Sequence, residues 1–142
     1  APDFFLVNSE MKDISLSDYK GKKKLLSIVP SLDTPVCATS TIKFNKSAKD
    51  NPNVVFLIIS ADLPFAMSRF CKAENLENVV SLSMMRSRNF AKDYGVLISD
   101  GPLAGITARA LLVLDENDKV IYSDIISEIA NEPDYDSALK LL

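Results

Sequence analysis

The sequence predicts one α/β domain, a mixed central sheet flanked by helices, and three observations predict it. Short, nearly continuous apolar runs rich in Val, Ile and Leu alternate with longer segments of helical spacing. Late in the chain, two apolar runs flank the polar cluster Asp115-Glu116-Asn117-Asp118, the mark of a hairpin. The 142 residues are 47% hydrophobic and 25% charged, with no repeat and no Pro/Gly/Ser-rich linker. That balance suits one core, and residues 1–142 read as a single domain.

The elements follow in order. Phe4 to Val7 and Ile14 to Leu16 are expected to add strand and a short turn of helix. Lys22, Lys23 and Lys24 form the longest basic run and read as a solvated turn after Gly21. Residues 25–29 form a buried strand, 35–48 a helix, and 54–59 a second buried strand rich in β-branched residues. A helix over 63–75 pairs Ala66 with Phe70 at i,i+4. A third short strand spans 79–83, and a helix over 87–94 sets Phe90 and Tyr94 on one face. Strands 110–114 and 119–122 make the hairpin. In the last helix Tyr135, Ala138, Leu139 and Leu142 recur at i, i+3, i+4 and i+7, with Pro133 suited to its first turn. A β-α-β unit, another α-β step, a hairpin and a final helix is the order of a thioredoxin-like fold.

Composition excludes several kinds of chemistry. Histidine is absent, which removes Ser-His-Asp and Cys-His catalysis and every His-containing metal site. Two cysteines alone cannot close a structural zinc site. A net charge of −3 with one short basic run speaks against nucleic acid and anionic membranes. No apolar stretch approaches a membrane span, and Ala1-Pro2-Asp3 lacks the basic and apolar regions of a signal peptide, so a cytoplasmic protein is expected.

Cys37 follows the first buried strand at the start of a helix. Thr34 suits the N-cap and Pro35 the first helical position, which puts Cys37 in the first turn. There the helix dipole and free N–H groups favour a thiolate. The competing reading is a cysteine that merely packs. Ionisation alone gains little: a free thiol of pKa about 8.5 is about 3% thiolate at pH 7, so full ionisation is worth only ~30-fold. Fast thiol chemistry therefore needs donors that stabilise charge in the transition state. Cys71, the other cysteine, lies 34 residues later, in the helix after the second strand. Ser40 and Thr34 flank Cys37 where a C-x-x-C motif would place its second thiol. By spacing alone, two unrelated thiols and a structural disulfide both stay open, the latter disfavoured without a secretion signal.

Pro30-Ser31-Leu32-Asp33-Thr34-Pro35-Val36-Cys37 resembles the P-x-x-x-T-x-x-C active-site motif of peroxiredoxins. Ser60-Ala61-Asp62-Leu63-Pro64-Phe65 and then Ser68-Arg69-Phe70-Cys71 resemble the segment around the resolving cysteine in the atypical two-cysteine branch, the bacterial thiol peroxidases. Asp100-Gly101-Pro102-Leu103 and Ala108-Arg109-Ala110 resemble that branch's arginine region, and Asp115 to Asp118 and Glu132-Pro133-Asp134-Tyr135 match in place and order. The resemblance covers nearly the whole chain. Members usually carry an N-terminal hairpin before the segment that opens this sequence, and without it some core or sheet edge would be exposed.

The resemblance implies a peroxiredoxin variant of the thioredoxin-like fold and a thiol-dependent peroxidase. Cys37 would be the peroxidatic cysteine, oxidised to a sulfenic acid. Thr34 would hydrogen-bond its thiolate, Pro30 would wall the pocket, and Arg109 would lower the Cys37 pKa and polarise the peroxide. Without the resemblance, Arg109 reads better as a surface strand residue beside a carboxylate. Cys71 would resolve the sulfenic acid as an intramolecular disulfide, with local unwinding if the thiols stand far apart. Phe65 and Phe70 could rim an apolar pocket or simply fill the core. Also implied are hydrogen peroxide and alkyl hydroperoxides as substrates, thioredoxin or a similar dithiol as reductant, a homodimer, and no cofactor or metal. A thioredoxin-like thiol–disulfide exchanger and a redox sensor are the competing readings.

Overall fold

A computed structural model describes residues 2–32, 35–87, 89–126 and 134–142, with only the backbone of Pro35, Val36 and Cys37. The strands are β1 (Leu6–Val7), β2 (Asp13–Ile14), β3 (Lys23–Ile28), β4 (Val54–Ser60), β5 (Val80–Ser83), β6 (Arg109–Leu114) and β7 (Val120–Ile126). The helices are α1 (Pro35–Asp50), α2 (Pro64–Ala73), α3 (Phe90–Asp93) and α4 (Tyr135–Leu139), with a 3-10 turn over Leu16–Tyr19. Among the described residues they build one sheet of order β2-β1-β5-β4-β3-β6-β7. β3, β4 and β5 run parallel at its centre, and the remaining pairings are antiparallel. The thioredoxin-like α/β expectation therefore holds.

The three parallel strands step across the sheet in one direction, so crossovers of the same hand put α1 and α2 on one face. Alternation along the strands then sorts the core. Leu25, Phe56, Ile58, Leu111 and Val113 pack with Phe44 of α1, Met67 of α2 and Ala138 of α4. Leu26, Ile28, Leu57, Ile59 and Leu82 face the other way, against Phe4, Leu16 and Phe90. Covered on both sides, the central strands read as unbroken apolar runs.

Several boundaries move, each for a local reason. β3 begins at Lys23, and Lys24 is not in a solvated turn: its side chain is 0% exposed, and its ammonium donates to Lys22 O (3.0 Å) and pairs with Asp118 (2.5 Å). Pairing with β4 and β6 draws the residue into the sheet, where only a carboxylate partner makes its charge tolerable. α3 is one turn long, because Gly95 (φ 69°) closes it with Val96 N–H returning to Ala91 O (2.8 Å). Phe90 and Tyr94 do share a face, stacked at 4.5 Å. β1 and β2 pair as a hairpin and extend the sheet past β5 through Val7 and Ser83. The turn between them is folded by Asn8, whose side-chain Oδ1 accepts the N–H groups of Glu10 and Lys12. Pro133 lies outside the described residues, and Asp134 caps α4 by accepting Ser137 N–H (3.2 Å).

Candidate active site

The loops at the carboxyl ends of β3, β4 and β5 are where a parallel sheet presents chemistry. β3 ends at Ile28 and continues through Val29, whose N–H donates to Ile59 O (2.9 Å) and whose carbonyl accepts Thr107 Oγ1 (3.0 Å). Pro30 follows and is buried. α1 starts at Pro35, which makes Cys37 its third residue. Cys37 thus sits in the first helical turn, as expected, where backbone N–H groups have no intrahelical acceptor and favour an anion. Thr34 lies outside the described residues.

Arg109 opens β6 from the opposite direction. The register Ile28↔Ala110 sets it beside the end of β3, and strand alternation puts it on the face of Leu111 and Val113, the α1 face. It is 1% exposed, so a surface strand residue is excluded. A guanidinium keeps its charge when buried and must be compensated by fixed partners, and Arg109 does engage partners there. Pro30, Arg109 and the first turn of α1 therefore meet at one end of β3.

Cys71 is the eighth residue of α2 and carries a free, half-buried thiol. Burial pushes this thiol up from its ordinary pKa, partly opposed by a hydrogen bond with Ser81 of β5. The turn that bears it is locked. Leu76 N–H donates to Cys71 O (2.8 Å) and Asn75 N–H to Lys72 O (3.3 Å), with Asn75 left-handed at φ 55°: a Schellman end. A 460 Å³ pocket opens on Cys71, Ser81, Asn75 and Asn8.

Both helices start at the carboxyl ends of parallel strands. Cys37 is the third residue of α1 and Cys71 the eighth of α2, about 3 Å and about 10 Å of helical rise from their helix starts. A disulfide holds its two Cα atoms about 6 Å apart.

A 580 Å³ cleft beside the start of α2 is lined by Ser31, Leu32, Asp62, Ala66, Arg69 and Phe70. Phe70 lines this cleft and also packs against the core. Phe65 is 71% exposed and fills neither this cleft nor the core. Asp62, within the Ser60 to Phe65 motif, accepts hydrogen bonds from Ser31, Leu32 and Ser60. Its one sequence signal is an Asp two residues after Ser60 and just before a helix start, the setting of side chain-to-backbone hydrogen bonds. Tyr135 does more than its place on the apolar face of α4 predicts. Its hydroxyl also meets Ser40 Oγ (2.9 Å), one turn past Cys37, and Lys43 lies 4.4 Å over its ring.

A cysteine in the first turn after the first central strand of a thioredoxin-like sheet is placed where a thiolate is favoured, as thiol-based redox chemistry requires. The profile of the redoxin family matches residues 1–139. A thiol peroxidase of Corynebacterium glutamicum is 49% identical over 140 residues, 99% of this chain and 84% of that protein. Among solved structures, a peroxiredoxin-like protein from Aquifex aeolicus is 40% identical at a TM-score of 0.93, and a thiol peroxidase from Chromobacterium violaceum 29% identical at 0.91. Each covers 99% of this chain, which spans 82% of theirs. The chain belongs to the redoxin family, among the thiol peroxidases of the peroxiredoxin group. Its activity is that of a peroxiredoxin-type peroxidase, which takes a hydroperoxide and a thiol reductant. Among the described residues no helix is long and apolar enough to cross a membrane.

Proposed function

We propose that Cys37 is the peroxidatic cysteine and Cys71 the resolving one. The observation that carries this reading is the placement of Cys37 in the first turn of α1, at the end of β3 where Arg109 is buried. The Cys37 thiolate attacks the terminal oxygen of the hydroperoxide, the O–O bond breaks, and the alkoxide or hydroxide leaves with a proton, giving a sulfenic acid. Arg109 stabilises the charge that spreads onto the peroxide oxygens, Thr34 donates to the thiolate, and Pro30 shields the sulfenic acid from water. The Cys71 thiolate then attacks the Cys37 sulfur, and the sulfenic oxygen leaves as water after taking up a proton.

Because the two cysteines ride on separate helices, Cys37 in the first turn of α1 and Cys71 in the last turn of α2, both turns unwind before the disulfide forms. Thioredoxin or a similar dithiol returns both thiols by exchange. Hydrogen peroxide and alkyl hydroperoxides are the substrates, the latter accommodated by the half-apolar cleft at Phe70. The working unit is a cytoplasmic homodimer. Ser40 supports the peroxidase over the thiol–disulfide exchanger, since the position of a second motif thiol is instead occupied by a hydroxyl tied to Tyr135.

Turnover tests this. With thioredoxin, its reductase and an alkyl hydroperoxide, the wild type is expected to consume many equivalents. Cys37→Ser should consume none, and Cys71→Ser should stall after about one. Disulfide reduction without peroxide consumption would favour the exchanger, and a single turnover by the wild type would favour the sensor.

A further inference from the structure

The carboxyl ends of the three parallel strands share a polar cluster centred on Asp62. One carboxylate oxygen accepts Ser31 Oγ (2.8 Å), and the other accepts Leu32 N–H (2.7 Å) and Ser60 Oγ (2.8 Å). The Asp62 backbone is held as well: its N–H donates to Ser60 Oγ (3.1 Å), and its carbonyl accepts Ser83 Oγ (2.6 Å). Ser60 and Ser83 are fully buried register partners on β4 and β5. Asp62 is thus fixed to the sheet from below and grips the chain at Ser31 and Leu32 from above.

What it joins gives the cluster its meaning. Ser31 and Leu32 lie on the connection from β3 to α1, six and five residues before Cys37. Asp62 itself stands next to Leu63, the N-cap of α2, on the helix that carries Cys71. Hydrogen bonds to an ionised acceptor are about twice as strong as neutral ones. While they hold, Leu32 stays at the edge of the sheet, and the turn it leads into has a fixed start.

We propose that Asp62 is a positioning residue, a latch that holds the Cys37 turn in its peroxide-reactive arrangement and must release before the disulfide closes. The proposal rests on the roles given to Cys37 and Cys71 above. Two steps feel the latch in opposite ways. The first, thiolate plus hydroperoxide plus a proton to sulfenic acid plus alcohol, needs the reacting atoms aligned and gains from a fixed turn. The second, Cys71 thiolate plus Cys37 sulfenic acid plus a proton to disulfide plus water, needs the turn to travel and is slowed by the same bonds. A residue that only supported the fold would not move the two rate constants in opposite directions.

The test is single-turnover oxidation of the full chain with one equivalent of cumene hydroperoxide, quenched in acid at intervals and read by intact mass, which separates thiol, sulfenic acid and disulfide. Asp62→Ala should slow sulfenic acid formation and speed disulfide closure, each by about 10-fold, the worth of one charge-assisted hydrogen bond. Ser31→Ala, which removes one hydroxyl from the same carboxylate and keeps Asp62 in place, should show the same split at smaller size. It decides the matter should Asp62→Ala fail to fold. Two unchanged rate constants, or two that move in the same direction, would overturn the latch. A wild type that forms no Cys37–Cys71 disulfide would overturn the assignment of the two thiols. A wild type that forms it, with unsplit variants, would overturn the latch alone.

Discussion

At Cys71, burial and hydrogen bonding pull in opposite directions, and burial dominates. A thiol held above its ordinary pKa is a poor nucleophile while α2 is intact, which protects it from stray alkylation and oxidation. In Cys37→Ser, iodoacetamide is therefore expected to modify Cys71 more slowly at neutral pH than a free cysteine, with an inflection above the free-thiol value of about 8.5. Proton counts give the sign for stability. Above about 8.5 the unfolded chain releases a proton that folded Cys71 keeps, so this contribution is full below that pH and declines as pH rises through the folded value. Denaturant titrations of wild type and Cys71→Ser from neutral to alkaline pH should converge as the pH rises. Arg109 acts through charge and shape together. Arg109→Lys keeps the charge but loses the planar fork, and the rate of sulfenic acid formation should fall roughly 10²-fold.

The helices show why some elements were legible and others were not. The first residues of α1 and α2 could be read closely, because Pro35 and Pro64 mark first turns in any sequence. The end of α2 was read at Asn75, two residues past its last helical residue, since a left-handed Asn extends the polar pattern without extending the helix. That cap is testable. Asn75→Ala should destabilise the chain by about 1 kcal/mol, the cost of a left-handed alanine, whereas Asn75→Gly should be neutral or mildly stabilising, both measured by urea denaturation. α4 holds α1 through Tyr135, whose ring meets Phe44 edge-on at 5.3 Å while its hydroxyl reaches Ser40. Tyr135→Phe keeps the ring contact and should lose about 1 kcal/mol.

Across the whole molecule, order of elements was the readable quantity and pairing was not. Apolar runs announce β3 and β4 wherever they lie, but nothing local says that Val7 meets Ser83 or that Lys24 meets Asp118. The site divides in the same way. Cys37 was legible from its helix start, whereas Asp62 matters because three chain segments converge on it. Lys24–Asp118 closes the sheet at the start of β3, some 17 Å of strand from the Cys37 end. Asp118→Asn keeps a residue that tolerates φ 63° but leaves the buried ammonium without its carboxylate. A loss of about 3 kcal/mol is expected, seen as a drop in Tm, with largely unchanged peroxidase kinetics. Adding Lys24→Met should restore much of that loss.

The central claim is that one peroxide oxidises two thiols of one chain in sequence. The most direct measurement takes the fully reduced protein with one equivalent of an organic hydroperoxide, counts free thiols and records the intact mass without reductant. Loss of both thiols as a monomeric disulfide is predicted, abolished by Cys37→Ser and diverted to a sulfenic acid by Cys71→Ser. Two thiols still titrating after the peroxide is added would contradict it.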